Sequence, residues 1–387
     1  MAATTETFQR NRITWIIYGL VGYFAYLQVS LGPVVPFLRR EHDLDFTTAS
    51  LHFSAFAAGA LVVGLFADRV ASRYGRRFGL WGGGAGMAGG AVAIALGPSS
   101  PVTITASFMM GSFGSMLLIM TQSILADQHG RWRTVAITES NVAASGFAML
   151  ASLAIGAAAS TLSWRAALAP PVITVALLFA FFRSEVLGEA RAVSMRKKGR
   201  ASLPLSFWTY WAVLFMGVAA EWTVAFWGAE FLTAALGLSP PAAATTFSVF
   251  FAAMLSGRVL SSWLARRIDD RTLLLSTLCL ATVGVLLLWL SRDPVSGLAG
   301  LLMTGLGLAG VYPVGLSAGV STVPSATDTA AARLGVRRGH HQPRDAVRRG
   351  TPGGRDRHHR LLRRRRAFTD RGHPPNRVGS TTSCSGQ

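Results

Sequence analysis

The chain has 387 residues, of which 51% are hydrophobic and 14% charged. Soluble domains carry about 25% charged residues and seldom string apolar ones into runs of ~20, so this composition excludes an ordinary soluble enzyme and points to a membrane protein. The net charge of +19 is unevenly placed: residues 333–387 hold fifteen Arg, no Lys, three Asp and five of the eight His, which weakens the nucleic-acid reading that so basic a chain invites.

In chain order, a polar N-terminus (1–12) leads into ten apolar stretches, at about 13–38, 46–67, 78–97, 101–126, 132–159, 163–183, 206–236, 243–265, 271–291 and 294–320. Lipid offers the backbone no hydrogen-bond partner, so each is expected to be a helix. The first is too long, and too poor in small-residue cleavage sites, to be a signal peptide. Gly97-Pro98-Ser99-Ser100-Pro101 and Gly237-Leu238-Ser239-Pro240-Pro241 read as hairpin turns between neighbouring spans. In the third stretch Gly84, Gly86 and Gly89 match G-x-G-x-x-G, but no strand precedes them. Small-residue helix packing through Gly82, Gly86 and Gly90 explains them better.

Fifteen Lys and Arg fall in the even-numbered connections and four in the odd-numbered ones: Arg39, Arg40, Arg165 and Arg292. Basic loops stay in the cytoplasm, which puts the N-terminus inside. The longest basic connection, 184–205, separates a six-span bundle (13–183) from a second bundle (206–330). A shift of 194 residues lays the second span on the eighth: Phe53 and Ser54 meet Phe247 and Ser248, Phe56 meets Phe250, and Arg73 meets Arg267. Chance matching of Ala and Leu explains part of such a register; the Phe-Ser-x-Phe string is harder to dismiss. Two like halves related by a parallel repeat is a known transporter plan.

The stretch Gly64-Leu-Phe-Ala-Asp68-Arg69, followed by Gly75, Arg76 and Arg77, resembles the signature of the major facilitator superfamily between its second and third helices. Ser256-Gly257-Arg258 with Arg266 and Arg267 looks like a degenerate second copy. Gly305, Gly307, Tyr312 and Pro313 look like the family's helix ten. The resemblance implies an all-α polytopic fold of two six-helix halves, here with about ten spans because the second half lacks its last two. It implies secondary transport of a small solute rather than catalysis. It also implies a conformational latch at Gly64, Asp68, Arg69, Gly75, Arg76 and Arg77. Four extra residues before Gly75 displace that latch by about one helical turn or bring in Arg73.

Polar groups inside the membrane are costly and mark the transport pathway. Glu221, halfway along the seventh span beside Trp222, reads either as a proton-coupling or substrate-binding carboxylate, or as a structural acid paired with Arg258. Glu139 and Asn141 enter the fifth span. They line the cavity, or Glu139 pairs with Arg131 or Arg133. Gln28, near Tyr26, falls on Trp222 in the 194-residue shift and so faces the same cavity, as a donor to solute or as helix–helix glue. Trp222 and Trp227 supply aromatic lining. Glu230, nearer the span's end, is expected in solvent, and His52 is expected packed or interfacial.

Two cysteines, Cys279 and Cys384, form no disulfide or metal framework, the His doublets at 340–341 and 358–359 lack a ligand set, and no cofactor is implied. The shift places spans eleven and twelve at 325–353 and 357–377, where apolar periodicity has stopped at about Ala332. Fifteen Arg without Lys is how a misread GC-rich frame looks, so residues 331–387 are expected to be a frameshifted, disordered tail and the chain a weak or inactive transporter. The competing readings are a genuine basic tail binding anionic lipid or nucleic acid, and a membrane scaffold or sensor that transports nothing. The expected partners are a small-molecule solute, protons and the lipid bilayer. The expected setting is a monomer in a bacterial cytoplasmic membrane.

Overall fold

A computed structural model describes residues 8–185, 204–265 and 267–322; the suspected frameshift lies outside them. The helices are α1 (Arg12–Glu41), α2 (Phe46–Leu96), α3 (Ser100–His129), α4 (Arg133–Thr161), α5 (Ala169–Phe182), α6 (Leu205–Leu236), α7 (Pro240–Leu264), α8 (Asp270–Leu290) and α9 (Pro294–Ser321). Among the described residues, ten helical segments are long and apolar enough to cross a membrane, as the hydropathy pattern requires.

The helix ends follow their sequences. Asn11, Asp45 and Asp269 cap α1, α2 and α8 by accepting from the backbone N–H groups of Thr14, Thr48 and Thr272. These bonds satisfy donors that a helix start leaves bare, and they hold the Asp45 and Asp269 carboxyls below the usual carboxylate range. Gly237 ends α6 in the left-handed region, at φ 66°, where a side chain is disfavoured.

The second and third spans depart from expectation. The segment read as their connecting loop is helical, so α2 runs through two spans, Phe46–Ala67 and Ser72–Leu96. Only Gly75 breaks it, at φ 81° and ψ 163°. Local helix propensity continues wherever no residue forbids it, and glycine alone here adopts the backbone that turns the chain.

The 194-residue shift holds at the level of contacts. It carries α1, the two limbs of α2, and α3 onto α6, α7, α8 and α9 with ends agreeing to within about four residues. A side chain on Gly111 of α3 would run into the Phe56 carbonyl of α2. At the shifted positions a Cβ on Gly305 of α9 would lie 2.6 Å from the Phe250 carbonyl oxygen of α7. Gly90 abuts Met110 in one half as Gly284 abuts Thr304 in the other. Of the three glycines expected to pack, Gly86 and Gly90 face α3, while Gly82 does not; Gly83 takes that place against Leu117.

One part of the repeat has no counterpart among the described residues. In the first half α5 lies against α1 and the second limb of α2, with Val175 next to Gly84, Leu178 next to Gly19, and Phe179 edge-on to Trp81 at 5.5 Å. Shifted by 194, Gly19 and Gly84 become Val213 and Leu278. Both line an apolar groove of about 520 Å³ between α6, α8 and Leu308 of α9. The most apolar 18-residue stretch of α1 is 89% buried, against 28% in α6, so the two equivalent helices differ chiefly in what covers them.

Backbone contact at glycine predicts a sharp contrast between two Gly→Ala changes. Gly111→Ala overpacks α2 against α3 and is expected to cost about 1–3 kcal/mol. Gly89→Ala meets nothing within 4 Å and is expected to be neutral or to stabilise by up to ~1 kcal/mol through helix propensity. Thermal unfolding of the two variants in detergent measures the difference.

Candidate functional site

The connectors at 42–45, 97–99, 237–239 and 291–293 lie at one end of the bundle, called here the short-loop end; the Arg-rich connections lie at the other, basic end. The halves meet tightly toward the short-loop end. There α1 crosses α6 with Gly32 directly against the Ala225 carbonyl, and Gly156 of α4 lies against Thr245 of α7. Phe53 stacks on Phe226 with ring centroids 4.5 Å apart, and Trp227 stands edge-on to Phe53 at 5.3 Å. Trp227 is thus part of the seal between the halves.

An ion pair completes that seal. Arg39 of α1 reaches Glu230 of α6, with Nε 3.0 Å and Nη2 2.8 Å from the same oxygen, Oε1. The Arg39 guanidinium also lies over the Phe46 ring at 4.3 Å. Glu230 is 2% exposed, which corrects its reading as a solvated residue. Its place near a helix end says nothing about cover supplied by the other half. Its Oε2 is buried without a partner. The sequence carried one usable signal for the pair, because Arg39 is among only four basic residues on the short-loop side.

Halfway across, α6 brings Glu221 and α7 brings Arg258. The Nη2 of Arg258 stands 3.6 Å from Glu221 Oε1, and the two side chains keep 33% and 29% of their surface open. The Nη1 of Arg258 donates across the interface to the Ser145 hydroxyl of α4, a residue that sequence reasoning passed over. Gln28 and Glu221 are each four residues from the Gly32–Ala225 crossing, on helices that rise together, so they stand at one depth. Gln28 and Trp222 are half-buried, and Trp222 stands 5.0 Å from Phe226.

Other expected members lie elsewhere. Tyr26 is buried inside the first half and donates to the Ala167 carbonyl at 2.7 Å, so it does not join Gln28. Glu139 does pair, but with Arg10 of the N-terminal arm at 2.5 and 2.8 Å, and it accepts from Tyr18 at 2.9 Å. Of its two expected partners, the Arg131 side chain lies outside the described residues; Arg10, just before α1, and Tyr18 of α1 reach Glu139 from the first span. Asn141 is exposed. His52 is fully buried, with Nε2 2.8 Å from Thr103 Oγ1, a packed histidine.

The basic residues of the expected latch take separate partners. Arg69 donates to Leu65 O at 3.4 Å and lies over Phe66, and Arg73 lies over Tyr74. Arg77 donates to Glu185 O at 2.8 Å, and the buried Arg76 pairs with Asp127 and Ser123 of α3. Gly64 has open space beside it. The Asp68 side chain and all of Arg266 lie outside the described residues. No group of three His, Cys, Asp or Glu able to hold a metal occurs among the described residues.

The family model of the Major Facilitator Superfamily matches residues 14–336. No curated protein matches the sequence. Among solved structures, the chain resembles a bacterial homologue of the human lysosomal transporter Spinster in an inward-facing, occupied conformation, at 14% identity and TM-score 0.64, covering 84% of this chain and 78% of that one. It also resembles a D-xylose–proton symporter, at 16% identity and TM-score 0.67, with 83% and 85% covered. A peptide transporter POT in complex with sulfate matches at 14% identity and TM-score 0.66, with 85% and 86% covered.

Removing one partner of a buried ion pair costs about 3–5 kcal/mol. Glu230→Gln is therefore expected to loosen the short-loop end and to speed labelling of a cysteine placed at Phe53 about tenfold or more. A background lacking Cys279 and Cys384, with a membrane-impermeant thiol reagent, gives the readout. The exchange Arg39→Glu with Glu230→Arg is expected to slow labelling again.

Proposed function

The chain belongs to the Major Facilitator Superfamily, and on that premise we propose that it carries a small solute together with protons, rocking its two halves about the Glu221–Arg258 level. The observation that carries this reading is a half-open acid–base pair at mid-membrane, bonded across the halves through Ser145. Ionisable groups at that depth are retained for function, because lipid penalises them heavily. Glu221 is the proton carrier in this scheme and Gln28 and Trp222 are solute contacts.

The excess of basic residues at one end supports a cytoplasmic N-terminus. The Arg39–Glu230 seal then closes the outer face, and the basic end opens inward. The setting is a bacterial cytoplasmic membrane, with the protein acting as a monomer.

The frameshift reading draws support from the groove between α6, α8 and α9. The residues that the repeat assigns there, 357–377, include eight Arg, which no apolar groove accepts. The chain as written is then a transporter lacking the helices that cover α6, with little or no uptake. The nucleotide sequence around codons 330–340 tests this: a second open frame encoding two apolar spans supports it, and absence of one removes it.

In a frame-restored chain, Glu221→Gln is expected to abolish solute accumulation against a gradient while keeping solute exchange. Proteoliposome uptake with and without an imposed pH gradient separates the two. Undiminished accumulation would mean that Glu221 is structural.

A further inference from the structure

Arg258 is the only base in the interior of a span at mid-membrane among the described residues, and the protein leaves it under-bonded. A guanidinium offers five donors in a planar fork. One goes to Ser145, and the nearest oxygen of Glu221, at 3.6 Å, is beyond hydrogen-bond reach. Glu221 accepts no hydrogen bond from any described residue. A purely structural pair in lipid closes up, because bare donors and acceptors are costly there; this one is held apart, with about a third of each side chain open.

The surroundings add no competing charge. The helices packed on α6 are α1, α7 and α9. Between Arg12 and Arg39, α1 carries no charged residue; α9 carries none; and α7 carries only Arg258. The tyrosines of α1 are engaged with Glu139, the Gly84 carbonyl and the Ala167 carbonyl; Glu230 of α6 and Glu139 of α4 are paired with Arg39 and Arg10, and Tyr210 of α6 and Tyr312 of α9 are the remaining tyrosines on these helices. Next to the pair, Trp222 and Phe226 start an aromatic row that runs to Phe53.

We propose that Arg258 is the seat of a small organic carboxylate, whose two oxygens take the free edge of the guanidinium while its apolar body lies along Trp222 and Phe226. Bidentate capture of carboxylate is what an arginine fork does best. The ligand replaces Glu221 as the arginine's counter-charge and Ser145 as its hydrogen-bond acceptor. Glu221, deprived of its counter-charge, takes up one proton from water, so one negative charge and one proton enter together. Release of Ser145 at the same moment frees a contact between the halves. The coupling rests on the transport reading above; the carboxylate site does not.

The purified full chain in detergent, titrated calorimetrically with benzoate, benzamide, benzylamine and phenylalanine, tests the site. Benzoate is expected to bind and the neutral and cationic isosteres not. Its affinity is expected to fall about tenfold per pH unit as pH rises, with one proton taken up per benzoate, since one proton is linked to binding. Arg258→Gln is expected to abolish binding and Arg258→Lys to weaken it about tenfold, both at unchanged melting temperature. Glu221→Gln is expected to bind benzoate without pH dependence. Should either arginine variant fail to fold, the pH dependence of the parent and of Glu221→Gln decides the matter alone. Benzamide or benzylamine binding as tightly as benzoate, undiminished binding in Arg258→Gln, or no binding by any of the four overturns the proposal. Benzoate that binds but does not cross a frame-restored proteoliposome leaves the site standing and removes the transport reading instead.

Discussion

A bilayer gives apolar helices no solvent to flee, so their association depends on how closely two backbones can approach. In this chain that approach is made at glycine. Gly111 lies against the Phe56 carbonyl, Gly305 against that of Phe250, Gly32 against that of Ala225, and Gly156 against Thr245. The first two contacts join helices within each half and are copies of one another. The last two join the halves. The same device therefore builds both the rigid bodies and the surface on which they meet. Everything polar in the interior is placed relative to these crossings, including the depth shared by Gln28 and Glu221.

Much of this was readable from the residues. Ten apolar stretches gave ten membrane-long helices, because length and hydropathy decide that question almost alone. The 194-residue register, noticed on a handful of Phe and Ser matches, reappears as paired glycine contacts. Glu221 with Arg258 was legible because a charge in the middle of an apolar run has few possible partners. What escaped depended on three-dimensional cover. Glu230 looked solvated because its helix ends nearby, yet the other half buries it. Tyr26 looked like a neighbour of Gln28, but two residues on a helix point about 200° apart, and Tyr26 turns into its own bundle. The pairing of Glu139 with Arg10, 129 residues away in sequence, had no local signal. The latch segment looked like a loop because its charges are dense, whereas only Gly75 has a backbone that interrupts the helix.

Among the described residues, the two halves are alike in construction and unlike in cover. α1 is wrapped on nearly all sides, whereas its equivalent α6 presents Trp208, Trp211, Phe215 and Met216 outward. Stacked rings such as Trp211 on Phe215, with centroids 5.6 Å apart, sit comfortably in lipid, so this exposure is tolerable in a membrane where it would be an aggregation hazard in water. The charged level nonetheless survives intact, because Glu221, Arg258 and Ser145 are held by α4, α6 and α7, none of which depends on the uncovered face for its contact with the others.

The Arg39–Glu230 pair has a lopsided geometry with a kinetic meaning. Both guanidinium nitrogens address one carboxylate oxygen, and the second oxygen is shut away from water with nothing to accept from. A fork-on-fork pair would have satisfied both and been stronger. An acceptor left bare in the interior forfeits about 1–3 kcal/mol, and that amount is recovered as soon as water reaches it. Opening this end therefore begins with a gain that partly offsets the broken ion pair. The bare oxygen thus makes this pair less costly to open than a fork-on-fork pair at the same depth.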